Sequence, residues 1–310
     1  MNRTPESKAF WRLLGPVLLY WGIEFAAQLI AELVLLIPNA SEIVSSAEIK
    51  DAMTNEEIQQ ATLQMALKAT EIFLKYQIEI LAITALCTIP LTLFLFSKDR
   101  KREREQNIVV NKKAPGSKYI LLIVLGLAVC IGGTCLATMA NLAMASEAYQ
   151  ETSKAFYSAG FVVQVLCLGI IVPIAEELMY RGVLYKRVRE NGGFWRAALS
   201  STLLFAMSHG NLVQLLYAFG LGLLLAYAYE KYGSLKAPVC LHVTANMISL
   251  VLTEMGVFDW IAVSPERLAV SVILCAFVGA VVFVLIQRIE EKPDTPEGNP
   301  DDKVTPDMFR

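Results

Sequence analysis

GFVVQVLCLGIIVPIAEELMYRGVLY, residues 160–185, is long and apolar enough to cross a bilayer as one helix, yet it carries Glu176, Glu177 and Arg181 within six residues. A helical crossing takes about 20 mainly apolar residues, each adding about 1.5 Å. An ionisable side chain in hydrocarbon costs at least about 2.5–3.5 kcal/mol on insertion scales, so three in one span call for a function. The stretch places the chain in a membrane and places its chemistry there too.

Outward from it the chain repeats the pattern. Runs of mainly apolar residues occupy about 11–37, 77–96, 119–145, 236–254 and 268–287, each long enough for a full span. Residues 197–229 are a further apolar stretch interrupted by Gly210 and Asn211. It is too long for one helix and short for two, which predicts a compressed helical hairpin. The expected fold is all-α: a polytopic transmembrane bundle of about eight helices, with its active-site core in the C-terminal half. Of 310 residues 55% are hydrophobic and 18% charged, and mean hydropathy is +0.49, which excludes an ordinary soluble domain of about 25% charged residues. The net charge of −2 gives no reason to expect nucleic acid as a partner; membrane lipids are the expected surroundings. Cys87, Cys130, Cys135, Cys167, Cys240 and Cys275 lie inside apolar runs, none in a CxxC or Cys/His zinc spacing, and read as small buried hydrophobes. The first run is too long for a signal-peptide core and reads as a retained helix.

Lys and Arg set the orientation. With the N-terminus inside, inner segments hold 21 of these cations and outer segments five, so the positive-inside rule makes both termini cytoplasmic. The chain divides into residues 1–118, N-terminal transmembrane helices with an outer segment 39–75 and a basic cytoplasmic loop 97–118; residues 119–288, the core; and residues 289–310, an acidic, Pro-punctuated tail expected to be disordered. The outer segment has helical spacing of apolar residues and suits an amphipathic helix or a solvated connector. The basic loop suits anionic lipid headgroups and equally plain topology determination.

The polar residues inside the membrane then need partners. Glu177 and Arg181 are i, i+4 and share a face, whereas Glu176 is rotated about 100° away and has no such partner on its helix. An unpaired carboxylate in apolar surroundings is suited to general-base work. Pro173 removes a backbone donor and is placed to kink the helix beside Glu176. The only two histidines, His209 and His242, fall in the remaining C-terminal spans. Phe205 stands one turn before His209 and can brace its ring; Asn246 shares a helix face with His242. Counting about 1.5 Å per residue from the nearest inner cation puts Glu176 about 15 Å deep, His242 about 9 Å, Asn246 about 15 Å and His209 about 20 Å. All four can meet in one site opened from the cytoplasmic side.

A carboxylate and an imidazole can hold and deprotonate water, while a second imidazole and an amide can donate to the oxyanion formed when that water attacks a carbonyl. Glu176, His209 and His242 are also a familiar zinc set, and residue types alone leave open whether a divalent metal such as zinc takes part. There is no HExxH, no GxSxG and no paired-aspartate signature. A proton-relay transporter would need Glu24, Glu71 or Glu79 to extend the polar path, and these read as helix-end or packed residues.

Glu176-Glu177-x-x-x-Arg181, Phe205-x-x-x-His209 and His242-x-x-x-Asn246 resemble, in order, the three motifs of the CPBP family, the CAAX-protease and bacteriocin-processing intramembrane endopeptidases that include the type II CAAX prenyl endopeptidases. The resemblance covers about residues 160–255. It implies hydrolysis of a peptide bond in a membrane-anchored or lipidated peptide or protein, with Glu176 as general base, His209 holding the water, His242 and Asn246 stabilising the oxyanion, and Glu177 with Arg181 as the supporting ion pair. The family has been called metalloprotease and also resembles metal-independent glutamate proteases. The alternative it carries is a non-catalytic membrane scaffold or bacteriocin self-immunity protein of the same fold.

Overall fold

The computed structural model describes residues 5–47, 54–108, 111–144, 147, 150, 154, 156–157, 159–190 and 192–289; the tail 290–310 and its expected disorder lie outside them. Helix α1, Pro5–Ser45, and α2, Asn55–Lys75, are followed by α3, Gln77–Glu105, and α4, Tyr119–Met144. One continuous helix, α5, covers Phe161–Arg189. Then come α6, Phe194–Met207, α7, Leu212–Tyr232, α8, Lys236–Glu254, the short α9, Val257–Ala262, and α10, Pro265–Gln287. No strand occurs among the described residues. The chain is a polytopic all-α membrane bundle.

Seven helices are long and apolar enough to span: α1, α3, α4, α5, α7, α8 and α10. The eighth, α6, has 14 residues, about 21 Å at helical rise, short of the roughly 30 Å hydrocarbon thickness. The stretch expected to be a compressed hairpin is therefore one full span and one shorter arm, joined by a polar turn that lies at membrane depth. Irregular backbone survives there only where protein buries it or water reaches it.

Local chemistry sets the other boundaries. Ser264 caps α10 by accepting from the Arg267 amide at 3.3 Å, with Pro265 at the first helical position, so the helix begins three residues before the apolar run expected at 268. Thr54 and Glu57 form a reciprocal capping box that starts α2 inside the outer segment. Lys68 ties α2 back to α1 through Glu42 at 3.0 Å. The α1 helix continues past the apolar run to Ser45, through Pro16 and Pro38.

Outward side chains of α1 and α10, such as Phe25, Ile30, Ile273 and Phe277, are exposed and face lipid. Between helices in lipid there is no hydrophobic drive, so close packing and interhelical hydrogen bonds hold the bundle. Its core joins Tyr20 of α1, Leu122 and Leu125 of α4, Met179 to Tyr185 of α5, Phe205 of α6 and Leu225 of α7.

One end of the bundle is laced with ion pairs. Arg12 reaches Glu190 at 2.7 Å, and Arg102 pairs with the same carboxylate. Arg187 binds Asp99 at 2.6 Å and the Arg12 carbonyl at 2.7 Å. Lys186 pairs with Glu103 at 2.9 Å, and Glu230 takes both Arg189 and Tyr185. Lys231 donates to the Gln287 carbonyl at 3.1 Å. The start of α1 and the ends of α3, α5, α7 and α10 therefore meet at a single basic end.

Candidate active site

Helix α5 is not a regular α-helix. Residues 165–171 and 178–185 are wound as π-helix, flanking an α-helical Val172–Glu177; such i→i+5 stretches are rare and often found at functional sites. The Val172 amide bonds to the Cys167 carbonyl, and Pro173 has no N–H, so the Leu168 carbonyl finds neither its i+4 nor its i+5 donor. Asn246 of α8 supplies one, Nδ2 donating to Leu168 O at 2.9 Å. The proline thus creates an acceptor that the neighbouring helix fills.

Glu177 and Arg181 are both fully buried and pair at 2.9 Å, as their spacing predicts. The same Glu177 oxygen accepts from His242 Nδ1 at 2.9 Å, a bond between helices that intrahelical spacing does not reveal. Because a carboxylate only accepts, Nδ1 carries the proton and a neutral His242 leaves Nε2 with a lone pair. Arg181 Nη2 donates to the Gly222 carbonyl at 3.0 Å. A Cβ at Gly222 would come within 2.7 Å of Thr202 Cγ2, so glycine permits this approach of α7 to α6 and to the guanidinium.

Phe205 joins all three motif segments. Its ring, fully buried, sits edge-on to His209 at 4.8 Å between centroids and to His242 at 5.8 Å. The Arg181 guanidinium lies 4.6 Å from its centre. His209 lies not on α6, whose last residue is Met207, but in the turn after it. Gly210 there takes φ of 79°, and Asn211 caps α7 by accepting from the Gln214 amide at 2.8 Å. His209 Nδ1 is bonded to the Phe205 carbonyl at 2.9 Å; the carbonyl accepts, so Nε2 is again the open nitrogen.

Glu176, one residue from the buried pair, faces His242 from the other side: its Oε2 is 3.8 Å from Nε2, and its side chain keeps 16% exposure. His242 thus stands between two carboxylates, one hydrogen-bonded at Nδ1 and one 3.8 Å from Nε2, beyond direct hydrogen-bond length. Of the expected residues, Glu176, Glu177, Arg181, Phe205, His209 and His242 form one connected cluster. Asn246 adjoins it one turn along α8 and spends one amide hydrogen on backbone.

Sequence reading missed the contribution of α1. Tyr20 is buried edge-on to Tyr180 at 6.0 Å, and Tyr180 is edge-on to Phe205 at 5.4 Å. Glu24 lies one turn after Tyr20 on the same helix. The Tyr180 hydroxyl is buried near Ser208 and Trp21 without a well-formed hydrogen bond. The i, i+4 spacing of Tyr20 and Glu24 in an apolar helix was the available signal.

Among the described residues no three His, Cys, Asp or Glu side chains are grouped to hold a metal ion. Each imidazole commits Nδ1 to a protein acceptor and leaves Nε2 open, as zinc-bound histidines do, and Glu176 is 3.8 Å from Nε2 of His242; Glu176, His209 and His242 would have to draw closer together to hold a metal.

A family model described as type II CAAX prenyl endopeptidase Rce1-like matches residues 158–248. A Bacillus subtilis (strain 168) protein described as "Putative membrane peptidase YdiL" is 28% identical over 96 residues, 29% of this chain and 39% of the relative. The match therefore spans about two-fifths of that protein. No solved structure matches. The matched residues run from the start of α5 into α8 and take in all three motifs, and it is in this segment that the chain is similar to CAAX-protease-type membrane proteins.

Proposed function

We propose that the protein is an intramembrane endopeptidase that hydrolyses a peptide bond in a membrane-anchored or lipidated peptide or protein, using water held at Glu176 and His209. The carrying observation is the 3.8 Å approach of Glu176 to His242 Nε2, beside a second imidazole whose Nε2 is open. The His209 Nε2 lone pair accepts a hydrogen bond from water, and Glu176 removes a proton as the oxygen bonds to the scissile carbonyl carbon. The carbonyl π pair becomes an oxyanion. Asn246 donates to it through its second amide hydrogen, and a protonated His242, its Nδ1–H held by the Glu177 carboxylate, donates to it through Nε2. Collapse breaks the C–N bond, and the proton held by Glu176 passes to the departing amine. Glu177 fixes the His242 ring, and Arg181 balances its charge. The basic end faces the cytoplasm in this reading, so substrate reaches the site from that side.

In reconstituted vesicles, wild type should cleave a member of a panel of lipidated and unlipidated peptides, and Glu176→Gln should not. The non-catalytic scaffold or self-immunity reading has its own support. Glu177, Arg181, Phe205 and Asn246 all make contacts that hold helices together without any reaction. That reading predicts that Glu176→Gln keeps its phenotype in cells.

A further inference from the structure

The basic end contains a polar cavity, remote from the histidines. It has a volume of about 630 Å³ and is lined by Phe96, Ser97, Arg100, Glu103, Arg104, Asn107 and Ile108. Its floor is the end of α3. Asn107 takes φ of 50°, and the Ile108 amide bonds to the Glu103 carbonyl at 2.9 Å while the Asn107 amide bonds to Arg104 O at 3.3 Å. This is the Schellman pattern, here with asparagine in the left-handed position, and it folds Ile108 back beside the last helical turn.

The charges in and around this cavity do not balance. Asp99 is taken by Arg187, Glu190 by Arg12 and Arg102, and Glu103 by Lys186 at 2.9 Å. Arg100 reaches Glu103 only at 3.4 Å, and the exposed Arg104 makes its side-chain hydrogen bond to the Arg100 carbonyl. Arg100 thus leans on a carboxylate that already has a closer cation, and Arg104, one helical turn on, has no ion pair among the described residues. Below them lies an apolar wall: Phe96 carries the Arg100 guanidinium 5.9 Å and the Lys186 ammonium 5.2 Å from its ring centre. Leu93 and Phe94, a turn earlier, are exposed to lipid. The cavity therefore straddles the boundary where the apolar part of α3 gives way to Lys98, Arg100 and Lys101, the level of lipid headgroups.

We propose that this cavity binds the phosphate of an anionic phospholipid, Arg100 and Arg104 holding the phosphate oxygens and Phe96 lying against the start of the acyl chains. Guanidinium forks match phosphate oxygens, and a site that joins them to an aromatic wall at the interface selects an amphiphile over a free anion. This site does not depend on the proposed hydrolysis.

The test is delipidation of the full-length protein in a neutral detergent, followed by titration with phosphatidylglycerol, phosphatidylcholine or inorganic phosphate and native mass spectrometry of the bound species. Wild type should bind phosphatidylglycerol at least about tenfold more tightly than phosphatidylcholine, and inorganic phosphate at equal concentration should not displace it. Arg100→Gln/Arg104→Gln should lose about tenfold in phosphatidylglycerol affinity, and Lys112→Gln/Lys113→Gln, which removes the same charge from a nearby exposed segment, should lose less than twofold. Equal losses in the two pairs would mean a diffuse field, equal binding of phosphatidylcholine would mean no headgroup selection, and displacement by inorganic phosphate would mean a free-anion site; each overturns the proposal. If the arginine pair fails to fold, Arg104→Gln alone decides: a loss of threefold or more supports the site, and unchanged affinity overturns it.

Discussion

Asn246 illustrates how one side chain can serve structure before it serves chemistry. Its bond to Leu168 O exists because Pro173 removes the donor that carbonyl needs. Interhelical hydrogen bonds in membranes average about 0.6 kcal/mol and reach about 1.7, so Asn246→Ala should destabilise the protein by about 1 kcal/mol. Adding Pro173→Ala, which restores an N–H at i+5, should recover part of that loss in a double-mutant cycle read by thermal unfolding in detergent. Strict additivity would contradict this origin of the bond. Glu177 is a stronger case, since its carboxylate is fully buried between Arg181 and His242. Removing one partner of such a cluster leaves uncompensated buried charge, so Glu177→Gln should cost about 3 kcal/mol or more. Glu176→Gln, at 3.8 Å from its nearest imidazole nitrogen and still partly exposed, should cost less than about 1 kcal/mol. At this scale the sequence made the Glu177–Arg181 pair legible, because both lie on one helix at i, i+4. It could not show the Glu177–His242 bond or the position of Glu24, because contacts between helices depend on which faces meet.

The helices carry a different lesson. Apolar runs located the spans, and the one covering α8, 236–254, agrees with the structure at both ends. The two π-helical stretches of α5 left no such trace, since hydrophobicity measures burial in lipid and says little of hydrogen-bond register. Pro173 alone hinted at irregular winding. The shortness of α6 was legible as a stretch too brief for two spans, while placing His209 in the turn required the backbone. Gly222 marks where two elements come closest. Gly222→Ala puts a methyl within 2.7 Å of Thr202 and 3.2 Å of Arg181, which should cost about 1–3 kcal/mol by overpacking. Gly220→Ala has open space and should be neutral or slightly stabilising in the same helix. Equal thermal shifts in the two variants would contradict the close approach of α6 and α7.

At the scale of the molecule, ion pairs gather the start of α1 and the ends of α3, α5, α7 and α10 at one basic end. The charge count predicts that this end is cytoplasmic. A cysteine at Lys112, on an exposed segment of that end, should react with a membrane-impermeant thiol reagent in inverted vesicles and stay unlabelled in intact cells; labelling of intact cells would reverse the orientation. The polar cluster sits more than halfway along α5 from its first residue, with Lys186 to Arg189 beyond it, so a cytoplasmic basic end leaves it within reach of that face. Everything depends on whether these groups perform hydrolysis. The most direct measurement compares purified wild type with Glu176→Gln, matched for folding by thermal unfolding, in vesicles containing a panel of lipidated and unlipidated peptides, with products identified by mass. The account predicts cleavage at a single bond by wild type and a loss of at least about a hundredfold in rate in the variant; equal cleavage by both would contradict it.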